Sequence, residues 1–286
     1  MVTVEERDGW LTSGWKRGAF VKIEEQSCLF NKLPSLAREM VLQGQEVYLV
    51  PVLNDCALVN QCFTTEPWVH ALVCWTCNDK KDDLLFAKNP RKYQFPVIYD
   101  GEEIYLEALA TNVLTLERQS FLQLTPLTKI SWPKFGLDRV LNWVAERFVT
   151  PTFPDSWNKR LKTREKNLKK VWKLDSFAKC SGIYFRIEPF DELPEDKEYK
   201  LWVYFCLPAE MSSAEYRNFN SNETPILRER LKAALSPIPN LKIQDIDSIS
   251  EESFTKKLER QYKRWILEYY SYSSPDEPEI PAEFVI

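Results

Sequence analysis

An Asp-Gly pair between two apolar runs constrains the fold of this chain more than any other sequence feature. The runs Tyr93–Tyr99 and Glu102–Leu109 both contain apolar residues, and Asp100 and Gly101 separate them. Asp and Gly both tolerate the positive φ angles of a two-residue turn, so the segment predicts a tight β-hairpin. The chain therefore contains at least one antiparallel sheet.

The pattern around this hairpin is also mostly extended. Glu46–Leu53 and Trp68–Cys77 are rich in Val, Leu and aromatic residues, which is typical of strands. One short helix is predicted at Leu33–Gln43, with a Pro near its start and a Gly just past its end. We therefore expect a mostly β domain over residues 1–130.

Helices dominate after residue 131. The predicted elements in this part of the chain are helix Pro133–Phe148, helix Ser156–Lys173, strand Ile183–Phe190, strand Tyr199–Leu207, helix Ser212–Leu235, strand Leu241–Ile249 and helix Glu251–Ser271. The order strand, strand, helix, strand, helix predicts a ferredoxin-like α/β sandwich over residues 131–272. The expected class is α/β in the α+β sense, with a mostly β N-terminal half. Residues 273–286 are acidic and rich in Pro, which is typical of an extended tail.

Composition indicates a globular protein of the cell interior. The hydrophobic fraction is 44% and the charged fraction 28%. No apolar run reaches the roughly 18 residues of a membrane span, so we expect no membrane contact. The N-terminus carries acids and no apolar core, so we expect no secretory signal. Seven Cys residues spread along the chain are interpreted as reduced thiols, which predicts a cytoplasmic location.

The single His and the one CxxC pair both have structural interpretations. His70 is the only His, so a catalytic triad would have to use it and a site with several His is excluded. It lies in a predicted strand among apolar neighbours, which favours a structural histidine with its hydrogen bonds satisfied. Cys74 and Cys77 fall in the same strand, where residues three apart point to opposite faces, so we expect buried thiols and no metal.

No cofactor motif is present. The chain has neither GxxxxGK[ST] nor GxGxxG, and its seven Gly are scattered, so we expect no nucleotide cofactor. Carboxylates are the remaining catalytic possibility. They cluster in four groups: Asp79/Asp82/Asp83, Asp100/Glu102/Glu103, Asp191/Glu192/Glu195/Asp196 and Asp245/Asp247. With a nearby Lys, as in Glu198 and Lys200, such acids are typical of a metal-dependent nuclease, although acids in connectors are usually only solvated.

The predicted helix Ser156–Lys173 has the least random charge pattern in the sequence. At 100° per residue, one side of it carries four apolar residues: Trp157, Leu161, Leu168 and Trp172. Six lysines fall together on the other side: Lys159, Lys162, Lys166, Lys169, Lys170 and Lys173. Such a face could bind the phosphates of RNA or DNA. The simpler interpretation, which the sequence favours, is a solvated face, because Lys is a good helix former.

The last predicted helix combines aromatic and basic residues more weakly. Its aromatic side is expected to pack on the C-terminal sheet. Arg260, Lys263 and Arg264 lie beside that aromatic side, where exposed rings and Arg would suit single-stranded bases.

Three functions stay open on the sequence. The first is a non-catalytic subunit or adaptor of a larger intracellular assembly, one that contains nucleic acid and other protein subunits. The second is a metal-dependent nuclease or phosphodiesterase that uses one carboxylate cluster. The third is a protein–protein interaction module without nucleic acid.

Overall fold

The chain is a mixed α/β protein that divides into two compact units. A computed structural model describes residues 2–149 and 153–265, and the units are 1–149 and 150–286. Each unit contains one sheet and several helices, so the predicted mixture of helix and strand is confirmed.

The first unit is built on a six-stranded antiparallel sheet. Its strands are β1 (Val21–Ile23), β2 (Val47–Pro51), β3 (Trp68–Cys77), β4 (Lys92–Tyr99), β5 (Glu102–Glu117) and β6 (Ile130–Ser131). Its helices are α1 (Val4–Thr12), α2 (Ser35–Leu42), α3 (Asp55–Leu58), α4 (Arg118–Phe121) and α5 (Gly136–Val149). The strand order is β1-β2-β3-β5-β4-β6. Phe20, next to β1, forms an antiparallel bridge with Leu127, so the sheet curls until its edge regions meet.

The predicted hairpin is confirmed. Strands β4 and β5 pair from Tyr99 and Glu102 outward, on either side of the two turn residues. Asp100 and Gly101 have φ angles of 49° and 89°, which is the left-handed pair that a tight hairpin turn requires.

Both faces of this sheet are covered. One face packs under α2, α3 and α4 through buried residues such as Val69 and Phe121. The other face buries Tyr93 and Phe95 together with Val140 and Trp143 of α5. Helix α5, which the sequence predicted to belong to a domain of residues 131–272, therefore packs on the sheet of the first unit.

The second unit has a four-stranded mixed sheet. Its strands are β7 (Gly182–Glu188), β8 (Tyr199–Leu207), β9 (Leu241–Ser250) and β10 (Lys263–Trp265), in the order β10-β7-β8-β9. Its helices are α6 (Asp155–Lys162), α7 (Glu165–Trp172), α8 (Asp175–Ala178), α9 (Ser213–Asn218), α10 (Thr224–Leu235) and α11 (Lys256–Gln261). Strands β8 and β9 are parallel, with α10 in the connection between them, and the other neighbours are antiparallel.

The two faces of this second sheet differ in their cover. Alternate side chains, including Phe185, Leu201 and Val203, are buried with Trp157 of α6 and Leu231 of α10. The intervening side chains, including Tyr184 and Trp202, point to the opposite face and are half-buried. We name these the inner and the outer face.

Three predicted helices of this unit differ from the structure. Ser156–Lys173 is not one helix but α6 and α7. Ser212–Leu235 is α9 and α10, joined by a π-helical turn at Phe219–Glu223. Glu251–Ser271 is wrong as a single helix, because α11 ends at Gln261 and β10 follows. Its last part and the tail 273–286 lie outside the described residues.

Across both described ranges, no helix combines the length and the apolar character needed to cross a membrane.

Candidate nucleic-acid interface

The six predicted lysines lie on two consecutive helices. Lys159 and Lys162 belong to α6, Lys166, Lys169 and Lys170 belong to α7, and Lys173 directly follows the last residue of α7. The break falls at Thr163 and Arg164, where the backbone of Arg164 (φ −119°, ψ 15°) leaves the helical region. We call these six residues the lysine surface.

Each helix turns its lysines away from its own buried side. Trp157 and Leu161 of α6 and Leu168 and Val171 of α7 are buried in the core of the second unit. Residues three, four and seven apart share a helix face, so these apolar positions fix which side packs. Five of the lysines are exposed and Lys169 is half-buried. The break between the helices therefore leaves the lysines on the solvent side of both.

Charge on this part of the chain is unbalanced. Residues 155–173 contain eight basic and two acidic side chains, whereas the whole chain has a net charge of −4. One of the lysines is paired, because Lys169 Nζ lies 2.7 Å from Glu165 Oε1. Four others make no ion pair with any described residue: Lys162, Lys166, Lys170 and Lys173. Like charges at this density repel one another, so the lysine surface carries a local excess of positive charge.

The connector between β7 and β8 holds α6 in place. The Glu192 carboxylate accepts hydrogen bonds from the backbone N–H groups of Asp155 and Ser156, and the bond from Ser156 holds the pKa of Glu192 below its usual range. Ser156 Oγ lies 2.8 Å from the Tyr199 hydroxyl. These contacts fix the start of α6 and thereby orient the lysines that follow.

Arg160 has a structural use within the same helix. Its guanidinium donates to the carbonyl oxygens of Pro194, Lys197 and Asn240, at 2.8–2.9 Å. It also lies over the ring of Tyr199, 4.8 Å from the centroid. Arg160 therefore ties loops to α6, and the lysines carry the charge that faces solvent.

The other predicted basic residues lie elsewhere in the unit. Arg260 is exposed in α11, whereas Lys263 and Arg264 lie on β10 and pair with β7. The Arg264 guanidinium donates to the Ser181 carbonyl at 2.9 Å, and Lys263 Nζ donates to the Arg260 carbonyl at 3.0 Å. Two of the three are thus engaged with the backbone.

The segment that contains α11 packs on the outer face. Tyr262 lies 4.7 Å from Tyr204, and Phe254 lies 4.6 Å from Tyr184, measured between ring centroids. The lysine surface belongs to helices on the inner face. Arg260, Lys263 and Arg264 therefore do not extend the lysine surface.

The outer face has an aromatic and basic pair that was not predicted from the sequence. Arg186 and Trp202 are directly opposite on β7 and β8, and the guanidinium lies 4.6 Å from the indole centroid. Arg186 also pairs with Glu188, so its charge is partly compensated. The signal was present as period-two alternation, since Tyr184 and Arg186, like Trp202 and Tyr204, are two residues apart.

His70 is more exposed than its apolar sequence neighbours predict. It lies on β3 with its side chain exposed, and its Nδ1 atom is 3.1 Å from Thr115 Oγ1 on β5. This hydrogen bond between neighbouring strands gives the His70 side chain a structural role in the sheet.

The two thiols of the CxxC pair diverge. Cys74 is buried and points to the Tyr48 carbonyl, whereas Cys77 is half-buried and points to the Tyr105 carbonyl. Burial raises the pKa of Cys74, and it raises the pKa of Cys77 to about 11. Neither thiol is poised as a thiolate at neutral pH.

The carboxylate clusters do not converge in the part of the chain that the structure describes. Among those residues, no three His, Cys, Asp or Glu side chains come together in a way that could hold a metal ion. Asp247 pairs with Arg228 at 3.2 Å, and Glu192 caps α6. Glu198 and Lys200 are both exposed.

Comparison with protein-family models, with curated proteins and with solved structures found no match to this chain.

Proposed function

We propose that this chain is a non-catalytic subunit or adaptor of a larger assembly that contains nucleic acid, and that the lysine surface binds the phosphate backbone. The observation that carries the proposal is the exposure of Lys159, Lys162, Lys166, Lys170 and Lys173 on the solvent side of α6 and α7. Lysine ammonium groups neutralise phosphates, and the counterions that are released drive binding.

This chemistry reads no base sequence. Lysines on a helix face contact phosphates as point charges, so they position a strand or duplex without specifying it. Specificity would come from the partner subunits of the assembly or from another surface of the chain. The half-buried Arg186–Trp202 pair on the outer face is a candidate for such a surface, since bases stack on aromatic rings and on guanidinium planes.

The ferredoxin-like character that the sequence predicts enters the proposal only as analogy. A split βαβ sandwich has the element order β-α-β-β-α-β. The second unit has a four-stranded sheet, but its first two strands form a hairpin and its parallel strands β8 and β9 are direct neighbours, with no strand between them. Analogy at this level supports no activity by itself.

The two other functions make different predictions. A nuclease requires metal-dependent cleavage that is lost in Glu198→Ala or Lys200→Ala with the fold intact. An interaction module without nucleic acid requires a partner that stays bound after nuclease treatment and tolerates changes at the lysine surface.

The test is binding to labelled single- and double-stranded RNA and DNA across a salt series. We compare the wild type with a reversed variant that carries Lys162→Glu, Lys166→Glu, Lys170→Glu and Lys173→Glu. On a single strand, each neutralised phosphate contributes a slope of about −0.7 to the logarithm of affinity against that of salt. We expect the reversed variant to lose about 3 from the magnitude of that slope and most of its affinity at low salt.

A matched control separates this surface from total charge. The variant Lys16→Glu, Lys81→Glu, Lys242→Glu and Lys257→Glu has the same net charge, and all four of its positions are exposed. It should keep at least a third of the wild-type affinity. Equal losses in the two variants, or no binding by the wild type at low salt, would contradict the proposal.

A further inference from the structure

The outer face of the second sheet is packed unevenly. The segment that contains α11 lies on Tyr184 and Tyr204 through Phe254 and Tyr262. Trp202 stands two residues before Tyr204 on β8, on the same face, and is half-buried. Within the described residues its indole meets no other aromatic ring, and its N–H group makes no hydrogen bond. A large aromatic side chain is therefore partly open to solvent here.

Arg186 lies over this indole and is oriented by an acid. The guanidinium is 4.6 Å from the centroid of the Trp202 ring, at a distance where a cation is attracted to the ring. Its Nε atom donates to Glu188 Oε1 at 2.9 Å, two residues along the same strand. The Arg186–Trp202 pair is thus arranged before any ligand binds, which lowers the entropy that binding costs.

Charged side chains surround the pair and nearly balance. This half of the outer face carries three cations and two acids: Arg186, Lys200, Lys242, Glu188 and Asp245. Lys200 and Lys242 are exposed and in register on β8 and β9, and neither makes an ion pair with a described residue. Asp245, in register with Trp202, is exposed as well. Ammonium groups bind phosphates, and a carboxylate accepts hydrogen bonds from the N–H groups of base edges.

These groups fit an unpaired nucleotide better than a duplex or a protein. Unpaired bases stack on aromatic side chains and on guanidinium planes, whereas the bases of a duplex are already stacked on one another. The core of a protein interface is depleted in charged residues, whereas charged residues surround Trp202. The arrangement therefore favours single-stranded nucleic acid.

We propose that the outer face of the second sheet binds single-stranded nucleic acid, with an unpaired base stacked against the Arg186–Trp202 pair and a phosphate beside Lys200. The inference rests on the proposed function for the premise that the partner is nucleic acid, and it adds the class of strand. The lysine surface belongs to helices on the inner face, so the two surfaces bind separately. Stacking carries the contact here, so this binding depends less on salt than binding to the lysine surface does.

The first test locates the strand on the full chain. A short single-stranded RNA that carries 4-thiouridine is bound at about 0.2 M salt, at which contacts to the lysine surface are largely screened. The complex is irradiated, and mass spectrometry identifies the residues joined to RNA. We expect them on β7 and β8 around Trp202, with joining suppressed by unlabelled single strand and not by the matching duplex. Joining confined to other surfaces would overturn the inference.

The second test measures affinity for the same single strand and for the duplex at that salt. Trp202→Ala should weaken single-strand binding by about fivefold to a hundredfold, which is the usual effect of removing a stacking ring. Binding of the duplex should change by less than about twofold, because its bases do not stack on the protein. Trp202→Phe keeps a ring and should restore most of the single-strand affinity. The matched control is Trp68→Ala, at a Trp that is 53% exposed in the first unit, and it should leave both affinities unchanged.

The outcomes separate this inference from the proposed function. Equal losses in Trp202→Ala and Trp68→Ala, or equal losses for single strand and duplex, overturn the inference. Binding that the reversed lysine variant abolishes and Trp202→Ala leaves intact also overturns it, and supports the lysine surface. Single-strand binding that is lost in Trp202→Ala and kept in the reversed lysine variant supports the inference and overturns the role of the lysine surface.

Discussion

Arg118 is a buried charge that organises a loop of the first unit. Its side chain is fully buried, and its guanidinium donates to the carbonyl oxygens of Leu58, Asn60, Cys62 and Glu66. Removal from water lowers the pKa of Arg118, and the four carbonyl oxygens compensate the buried guanidinium by accepting its hydrogen bonds. Two of these bonds fix the backbone around Cys62 and hold its thiol beside Thr65.

The thiol of Cys62 has an acidity that its neighbours explain. Thr65 donates to its sulfur from the side-chain hydroxyl at 3.1 Å and from the backbone N–H at 3.4 Å. Hydrogen bonds to the thiolate favour the charged form, and they lower the pKa of Cys62 to about 7. The thiolate of Cys62 is therefore favoured at lower pH than that of an ordinary Cys.

We expect alkylation of Cys62 by iodoacetamide to rise through pH 7 and to level off above pH 8, because the thiolate is the nucleophile. Peptide mass spectrometry over a pH series measures the rate for each Cys. Thr65→Val removes the hydroxyl donor and should move the midpoint up by about one pH unit, whereas Thr65→Ser should restore it. Cys77, with a pKa of about 11, should stay slow throughout. A midpoint that is the same in all three proteins would refute the role of Thr65.

Among the elements, the hairpin of β4 and β5 is predictable because its cause is local. Asp100 and Gly101 supply the backbone angles, and the residues beside them supply the alternation. Gly101 has a φ of 89°, and no atom lies within 4 Å of the place where a side-chain Cβ would stand. The positive φ angle, and not a lack of space for a side chain, therefore favours glycine at this position.

Gly9 and Gly101 form a matched pair for testing this element. Gly9 lies in α1 and likewise has open space around it. Gly101→Ala should lower the free energy of unfolding by about 1 kcal/mol, because an L-residue is strained at that φ. Gly9→Ala should raise it by about 0.5–1 kcal/mol, because alanine loses less backbone entropy in a helix. Urea unfolding of both variants measures the two shifts, and shifts of the same sign would rule out this explanation.

Two boundaries of helices in the second unit could not be predicted from the sequence. The break between α6 and α7 falls at Thr163 and Arg164, where neither Gly nor Pro marks an end. Helical spacing also continues through Tyr262 and Trp265, yet pairing with β7 makes Lys263–Trp265 a strand. At Lys263–Trp265 the tertiary pairing overrode local propensity.

The candidate site was likewise predictable only in part. The solvent side of the lysines was predictable, because Trp157, Leu161 and Leu168 fix the packed side of each helix by spacing alone. That Arg160 and Arg264 bond to carbonyl oxygens was not predictable, because those oxygens lie on loops and strands far along the chain.

At the scale of the whole molecule, a modest net charge conceals a strong separation of charge. Basic residues concentrate at 155–173, and all charged side chains after residue 265 are acidic. Long-range attraction of a polyanion depends on this distribution and not on the sum. The net charge of −4 is therefore no argument against a nucleic-acid partner.

The two units each have a hydrophobic core of their own, which makes the position of the boundary testable. In the first unit, Val140 and Trp143 of α5 are buried among Tyr93 and Phe95. The Trp143 ring lies 5.5 Å from the Tyr93 ring, and its indole N–H donates to the Asn89 carbonyl at 2.8 Å. A first unit that ends at residue 130 would expose this part of the core.

We therefore expect residues 1–149 expressed alone to unfold in one cooperative transition. Residues 1–130 expressed alone should aggregate or unfold without a cooperative transition. Within 1–149, Trp143→Ala should lower the free energy of unfolding by about 3–5 kcal/mol, which is the usual cost of deleting a buried Trp side chain. Phe148→Ala, on the same helix but 80% exposed, should change it by less than about 0.5 kcal/mol. Calorimetry of the two segments and urea unfolding of the two variants measure these quantities. A cooperative transition of 1–130 as stable as that of 1–149 would show that α5 is dispensable to the first core.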